Sequence, residues 1–122
     1  MYVYNVHAKR GENMDKEKKV IVGASIYKEK YFVNPEFDKI PKKVLEELRV
    51  ICVRLSAKLH CIFTVGFYTD GSIYFESIAD ESDYIYDEIG AKLEIDKLMR
   101  EEKEIIKALE LWYKVFILKE KE

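Results

Sequence analysis

The sequence predicts an α+β domain with a mainly antiparallel sheet of about four strands, in the order ββαββα, and two principal helices, of which the C-terminal one is long. Short runs rich in β-branched and aromatic residues stand in pairs separated by turn residues, which is typical of hairpins. A helical spacing of apolar residues follows each pair. The 122 residues suffice for one hydrophobic core. We therefore expect a single domain over residues 19–122, preceded by an N-terminal extension, residues 1–18.

The first predicted hairpin lies between residues 19 and 33. The segment KVIVGASIYK, which begins at Lys19, is rich in β-branched residues, and YFV resumes the strand pattern after a short polar break. Asn34-Pro35 should end the second strand, because proline lacks an N–H and biases the residue before it toward extended geometry. The earlier segment YVYNV, residues 2–6, can form an extra edge strand.

The first helix is expected over about residues 41–58. Pro41 suits a first helical turn, where its missing N–H is not needed. Apolar residues then recur at the three-and-four spacing of one helical face, namely Val44, Leu45, Leu48, Ile51, Cys52, Leu55 and Leu59.

The second predicted hairpin turns at Asp-Gly, residues 70–71, the dipeptide favoured by a tight two-residue turn. A two-residue turn sets Phe67 opposite Tyr74 and Val65 opposite Glu76. Both faces of the sheet are then partly apolar, so we expect helices or another subunit to cover both.

The last third, from about Asp83 to Lys119, is helical in pattern, with Gly90 separating a short first helix from a long one or marking a kink. Its end, ALELWYKVFIL, is apolar nearly all round, as in helices buried on several sides. Closure of the core and a subunit contact explain this surplus equally well, and a terminal strand over residues 112–118 is an alternative. The candidate dimer interface comprises Leu111, Trp112, Val115, Phe116 and Leu118.

The stretch ADESDYIYDEIG, residues 79–90, places five carboxylates around two tyrosines. It lacks the glycine and oxygen ligands of a calcium loop. Its carboxylates suit a helix start, where they cap the backbone and meet the positive end of the helix dipole. A contact surface formed by Asp83, Tyr84, Tyr86 and Asp87 is the second interpretation, and an ion or catalytic site is the third. Exposure of the two tyrosines would favour the contact surface.

The sequence lacks the motifs of metal-binding and phosphate-binding sites. The soft metal ligands His7, Cys52, His60 and Cys61 lack finger-like spacing, and the five glycines form no phosphate-binding loop. We therefore expect no metal and no cofactor. Two cysteines without C-x-x-C spacing are typical of reduced thiols in a cytoplasmic protein.

The charge and hydropathy of the chain limit the kinds of partner that it can bind. No apolar run approaches the roughly 18 residues of a membrane span, and the N-terminus does not resemble a signal peptide, so we expect a cytoplasmic protein. The net charge of −2 argues against nucleic acid, which would require six lysines to converge: Lys16, Lys18, Lys19, Lys39, Lys42 and Lys43. Residues 1–60 hold 13 Lys and Arg against 8 Asp and Glu, and residues 61–122 hold 8 against 15, so the two halves can attract each other within one fold or between two subunits.

Three segments, EKYFVNPEF, DESDYIYDEIG and ALELWYKV, together resemble a family of short bacterial proteins of the domain-of-unknown-function kind. The resemblance covers about residues 19–118. It implies a bacterial cytoplasmic protein and carries over no functional residue, because the family has no assigned activity. The element order also resembles roadblock and longin-type modules, in which small sheets with flanking helices pair into dimers.

These observations favour a small non-catalytic interaction or scaffold module that acts as a homodimer, with room for a further protein partner. An enzyme or ligand sensor is the first alternative, and it requires a pocket lined by Asp83, Tyr84, Tyr86, Asp87 or Glu102. A nucleic-acid-associated protein is the second alternative.

Overall fold

The computed structural model describes the backbone of residues 2–7 and the whole of residues 17–119. Within these residues there are five strands: β1 (Tyr2–His7), β2 (Lys18–Ser25), β3 (Lys30–Val33), β4 (Ile62–Tyr68) and β5 (Ile73–Ala79). The helices are α1 (Lys42–Leu59), α2 (Glu88–Glu101) and α3 (Lys103–Phe116), with a short 3-10 turn over Pro35–Phe37. The predicted α+β class and both predicted hairpins are confirmed.

The strands form one antiparallel sheet in the order β1-β5-β4-β2-β3. The two hairpins meet where β2 pairs with β4, so the sheet centre joins segments far apart in sequence. YVYNV does supply an edge strand, since β1 pairs with β5 from Tyr2 opposite Ala79 to His7 opposite Tyr74. Together with the four predicted strands, β1 makes the sheet five-stranded.

The predicted two-residue turn of the second hairpin is wrong. The Gly71 N–H donates to the carbonyl of Tyr68 (2.9 Å), and the Tyr68 N–H donates to the carbonyl of Ser72 (2.9 Å), so three residues form the loop. Gly71 has φ +87°, the left-handed conformation that follows a type I turn in three-residue hairpin loops. A Cβ at Gly71 would also lie 2.6 Å from the Tyr113 ring, which leaves this position to glycine.

The longer loop moves every cross-strand pair by one residue. Phe67 pairs with Ile73 and Val65 with Phe75, rather than with the partners expected from the sequence. One face of the hairpin is consequently almost entirely apolar. Its buried residues are Phe63, Val65, Phe67, Ile73, Phe75 and Ala79, together with the polar Ser77 opposite Phe63. Tyr68, Tyr74 and Glu76 on the opposite face are buried as well. The helices α1, α2 and α3 all pack on the other face, so cover of this face by another subunit stays a prediction.

Helix α1 packs on β2, β3 and β4 through the predicted face, with Leu48, Cys52, Leu55 and Leu59 fully buried. Helix α2 packs on β1 and β5 through Ala91, Ile95 and Leu98, and α3 packs on β5 through Ile106, Leu109, Trp112 and Tyr113. The helices therefore lie against the apolar face of the sheet.

The predicted long C-terminal helix does not form. The segment divides into two helices of 14 residues each, and the break falls at Glu102 (φ −104°, ψ 32°) rather than at Gly90, which lies in the first turn of α2. Residues 112–116 are helical, so the terminal-strand alternative is wrong for them. Because of this break, the apolar faces of α2 and α3 cover different parts of the sheet. The rings of Trp112 and Tyr113 on α3 pack against Phe67 of β4.

Candidate functional site

The acidic stretch forms a loop between β5 and α2 that is organised by the carboxylate of Asp83. Oδ2 of Asp83 accepts hydrogen bonds from Tyr27 Oη (2.6 Å) and His60 Nδ1 (2.6 Å). Oδ1 accepts from the backbone N–H groups of Ile85 (2.9 Å) and Tyr86 (3.2 Å). One side chain thus holds the loop and joins it to two other parts of the fold.

Both side-chain partners of Asp83 come from positions where the chain changes direction. His60 ends α1 in the left-handed conformation (φ 62°), which His adopts more readily than most non-glycine residues. Tyr27 follows β2, and its ring packs edge-on against the His60 ring at 5.5 Å between centroids. The Tyr27 hydroxyl also accepts a hydrogen bond from the backbone N–H of Asp80 (3.2 Å). We call Tyr27, His60 and Asp83 the carboxylate hub.

These hydrogen bonds determine where the protons of Asp83, Tyr27 and His60 lie. The hydrogen bonds from Tyr27 and then His60 lower the pKa of Asp83 to about 2. Burial, and then the hydrogen bond to Asp83, raise the pKa of Tyr27 to about 12. Asp83 is therefore ionised and can only accept, so His60 Nδ1 carries a proton and donates it.

A His–Asp pair of this kind also orients the imidazole in nucleophilic enzymes. Such an enzyme requires a hydroxyl or thiol nucleophile that is hydrogen-bonded to the second ring nitrogen of the histidine. Within residues 17–119, no serine, threonine or cysteine side chain is hydrogen-bonded to the His60 imidazole. The adjacent Cys61 is fully buried, and its pKa is raised to about 12 by burial and by the charge of Asp83. What the hub does in this geometry is fasten the acidic loop to the end of α1 and to the β2–β3 turn.

The remaining members of the predicted contact surface lie in different environments. Tyr86 is half-buried, with its hydroxyl hydrogen-bonded to Ser77 Oγ (2.7 Å). Asp87 caps α2 by accepting a hydrogen bond from the Gly90 N–H (2.8 Å). Tyr84 is 95% exposed. The end of the acidic stretch thus starts a helix, as the first interpretation predicted, but the expected start near Asp83 and the short helix before Gly90 are wrong, because the chain is a loop up to Asp87 and α2 begins at Glu88. The loop also presents Tyr84 fully to solvent.

Three exposed apolar residues follow Tyr84 along the chain and were not predicted as site residues from the sequence. Ile85, Ile89 and Leu93 are 62%, 75% and 64% exposed. Their spacing of four residues is the available signal, but it resembles the start of a buried helical face. The true buried face of α2 consists of Ala91, Ile95 and Leu98.

The candidate dimer interface divides into one buried and four exposed residues. Trp112 is buried, and its Nε1–H donates to the carbonyl of Lys39 (3.3 Å) while its ring stacks on Phe67 and Phe116. The other four residues, Leu111, Val115, Phe116 and Leu118, are 47%, 37%, 54% and 46% exposed. We call these four the α3 surface.

An apolar groove of about 280 Å³ runs between α3 and the start of α1. The α1 side contributes Ile40, Pro41 and Val44, and the α3 side includes Leu111, Val115 and Phe116. The groove therefore extends the α3 surface.

The candidate metal ligands form no cluster in the part of the chain that the structure describes. Among the residues that the structure describes, no group of three or more His, Cys, Asp and Glu side chains is placed to hold a metal ion, and the side chain of His7 lies outside them. Cys52 and Cys61 are buried free thiols.

Of the six lysines proposed for nucleic acid, Lys18 and Lys19 pair with Glu76 (2.6 Å) and Glu36 (2.8 Å), and Lys16 lies outside the described residues. Those two ion pairs reduce the charge available to a phosphate backbone. Within the described part of the chain, none of the helices combines the length and the apolar character needed to cross a membrane.

Comparison with known proteins supplies a family and no activity. A family model described as a family of unknown function (DUF6145) matches residues 18–121, close to the span expected from the three quoted segments. No curated protein and no solved structure matches the chain.

Proposed function

Because the chain belongs to DUF6145, a family of unknown function, we propose a role from the structure: a small, non-catalytic interaction module that acts as a cytoplasmic homodimer. The observation that carries this proposal is the α3 surface. Two of its members, Leu111 and Val115, lie one turn apart on α3, and both are substantially exposed. The buried residues of the same helix are Ile106, Leu109, Trp112 and Tyr113.

Apolar side chains clustered on one surface are typical of protein–protein contacts. A helix that presents such a surface can pack against its symmetry mate, since a twofold axis places the same residues on both sides. Phe116 connects this surface to the core, because its ring stacks on the buried Trp112 at 5.3 Å. The groove beside α3 offers a site into which a residue from the second copy can insert.

The oligomeric state tests this proposal directly. We expect light scattering coupled to gel filtration, at micromolar concentration, to give twice the 14.5 kDa mass of one chain. The substitutions Leu111→Glu and Val115→Glu should shift the protein to the monomer, since a buried, unpaired carboxylate opposes association.

Val50→Glu is the matched control, because Val50 is 49% exposed on α1 and should tolerate a charge without loss of the dimer. Circular dichroism verifies that all variants fold. A wild-type monomer, or a dimer that withstands both α3 substitutions, would refute the proposal.

The alternative of an enzyme or sensor with an acidic, tyrosine-lined pocket gains little support. Asp83, Tyr86 and Asp87 are engaged in bonds that hold the loop and start α2. Tyr84 extends into solvent rather than lining a cleft with them.

A further inference from the structure

We propose that a second surface, formed by Tyr84, Ile85, Ile89 and Leu93, docks a basic amphipathic segment of another protein. We call these four residues the α2 surface. The proposal does not depend on dimer formation, since it concerns α2 and its preceding loop rather than α3.

The apolar content of the α2 surface is high for a solvent-facing helix start. Its four side chains are between 62% and 95% exposed. Ile89 and Leu93 lie one turn apart on α2, on the side away from the buried residues Ala91, Ile95 and Leu98. Since the core uses the other side of the helix, these two side chains are available to a partner.

The α2 surface is also held in place. Asp83 binds the backbone N–H of Ile85 and is itself bound by Tyr27 and His60. Asp87 caps the helix that carries Ile89 and Leu93. A preformed surface loses less conformational entropy on binding than a loop that must become ordered.

The charge around the α2 surface indicates the chemistry of the partner. Residues 80–97, which include the whole α2 surface, contain seven Asp and Glu against two Lys, Lys92 and Lys97, so the surroundings are net negative. Asp80, Glu81, Asp87 and Glu88 are all exposed around the apolar residues. Such a field attracts Lys and Arg, and it repels nucleic acids and anionic lipid headgroups.

A partner that satisfies both features carries apolar side chains along one face and basic side chains beside them. An amphipathic helix has this form, because residues three and four apart share one face. The geometry thus favours a Lys- or Arg-rich amphipathic helix over a membrane or a nucleic acid.

A designed peptide tests the proposal with the full chain. The probe is a fluorescein-labelled peptide of leucine and lysine with helical amphipathic periodicity, measured by fluorescence anisotropy. We expect saturable binding that weakens with added salt. A peptide of the same composition with its leucines scattered round the helix, and a peptide with glutamate in place of lysine, should both bind at least about tenfold more weakly.

Variants assign the binding to the α2 surface. Ile89→Ser combined with Leu93→Ser should weaken binding of the probe about tenfold or more, because the apolar side chains at the centre of the surface are removed. Glu88→Gln should reduce the salt dependence. Val50→Ser on α1 and Leu111→Glu on α3 should leave the affinity unchanged.

Three results would overturn the proposal. Equal affinity for the ordered and scattered peptides would show attraction by charge alone. Unchanged affinity in the Ile89→Ser, Leu93→Ser variant, verified as folded by its thermal melt, would place the contact elsewhere. Binding to vesicles rich in anionic lipid, without binding to the peptide, would indicate a membrane surface instead.

Discussion

Phe67→Ala is the substitution that best tests how α3 is held on the sheet. Phe67 is 1% exposed on β4. Its ring lies 5.3 Å from that of Phe37, 6.1 Å from that of Trp112 and 4.7 Å from that of Tyr113, all between centroids. The ring therefore links the sheet to the 3-10 turn and to α3.

The expected cost follows from this burial. Truncation of a buried phenylalanine to alanine destabilises proteins by about 3–5 kcal/mol, including the cavity left behind. Aromatic pairs add about 0.5–1.5 kcal/mol each beyond their buried area. Because the Phe67 ring packs against three other aromatic rings, we expect a value near the upper end, at least about 4 kcal/mol out of a typical total of about 5–15 kcal/mol.

Urea unfolding measures this cost, and the single tryptophan, Trp112, is a built-in fluorescent probe of the same packing. Circular dichroism followed in parallel reports whether α3 separates before the rest of the fold. Phe32→Ala is the matched control, because Phe32 is 52% exposed on the edge strand β3 and should cost less than about 1 kcal/mol. If Phe67→Ala costs no more than the control, Phe67 does not hold α3 in place.

Two further predictions concern the sheet and the acidic loop. Gly66→Ala should destabilise the protein by about 1–3 kcal/mol or more, because its Cβ would lie 2.3 Å from the backbone carbonyl oxygen of Lys19. Gly23→Ala should cost less, since its nearest neighbour is a side-chain methyl of Thr64 at 3.1 Å, and equal thermal shifts would contradict this explanation. The pKa of Asp83 is lowered to about 2 from 3.8, so its stabilising effect is complete above about pH 4 and is lost as the pH falls toward 2. Urea titrations should accordingly show Asp83→Asn less stable than wild type near pH 6, with the difference shrinking below pH 4, and a constant difference would contradict the assignment.

Local patterns predicted most elements of this fold. The prediction of the buried face of α1 is confirmed. A helix that packs on a sheet buries one stripe of residues, and the residues of that stripe recur every three or four positions. Strands β2 to β5 were correct because β-branched and aromatic runs between turn residues rarely form anything else in a small domain.

The errors fall where two local solutions have similar energies. Asp-Gly at 70–71 suits a two-residue or a three-residue loop, and the choice depends on how the strands pack. No proline or glycine at or next to Glu102 indicates the break between the two helices. It appears because α2 and α3 must cover different parts of the sheet, with Trp112 and Tyr113 meeting Phe67.

The sequence by itself determined the α+β class, the acidic character of the stretch before α2 and the apolar surplus at the C-terminus, because each depends on residues that are close together along the chain. The family also follows from the sequence, through a match over residues 18–121. Only the tertiary structure decided what those features do. Tyr27, His60 and Asp83 are far apart along the chain, and they meet because β2 pairs with β4 directly after α1. Burial of Trp112 and exposure of Tyr84 were decided in the same way, since the side that each element turns to the core depends on every other element packed against it.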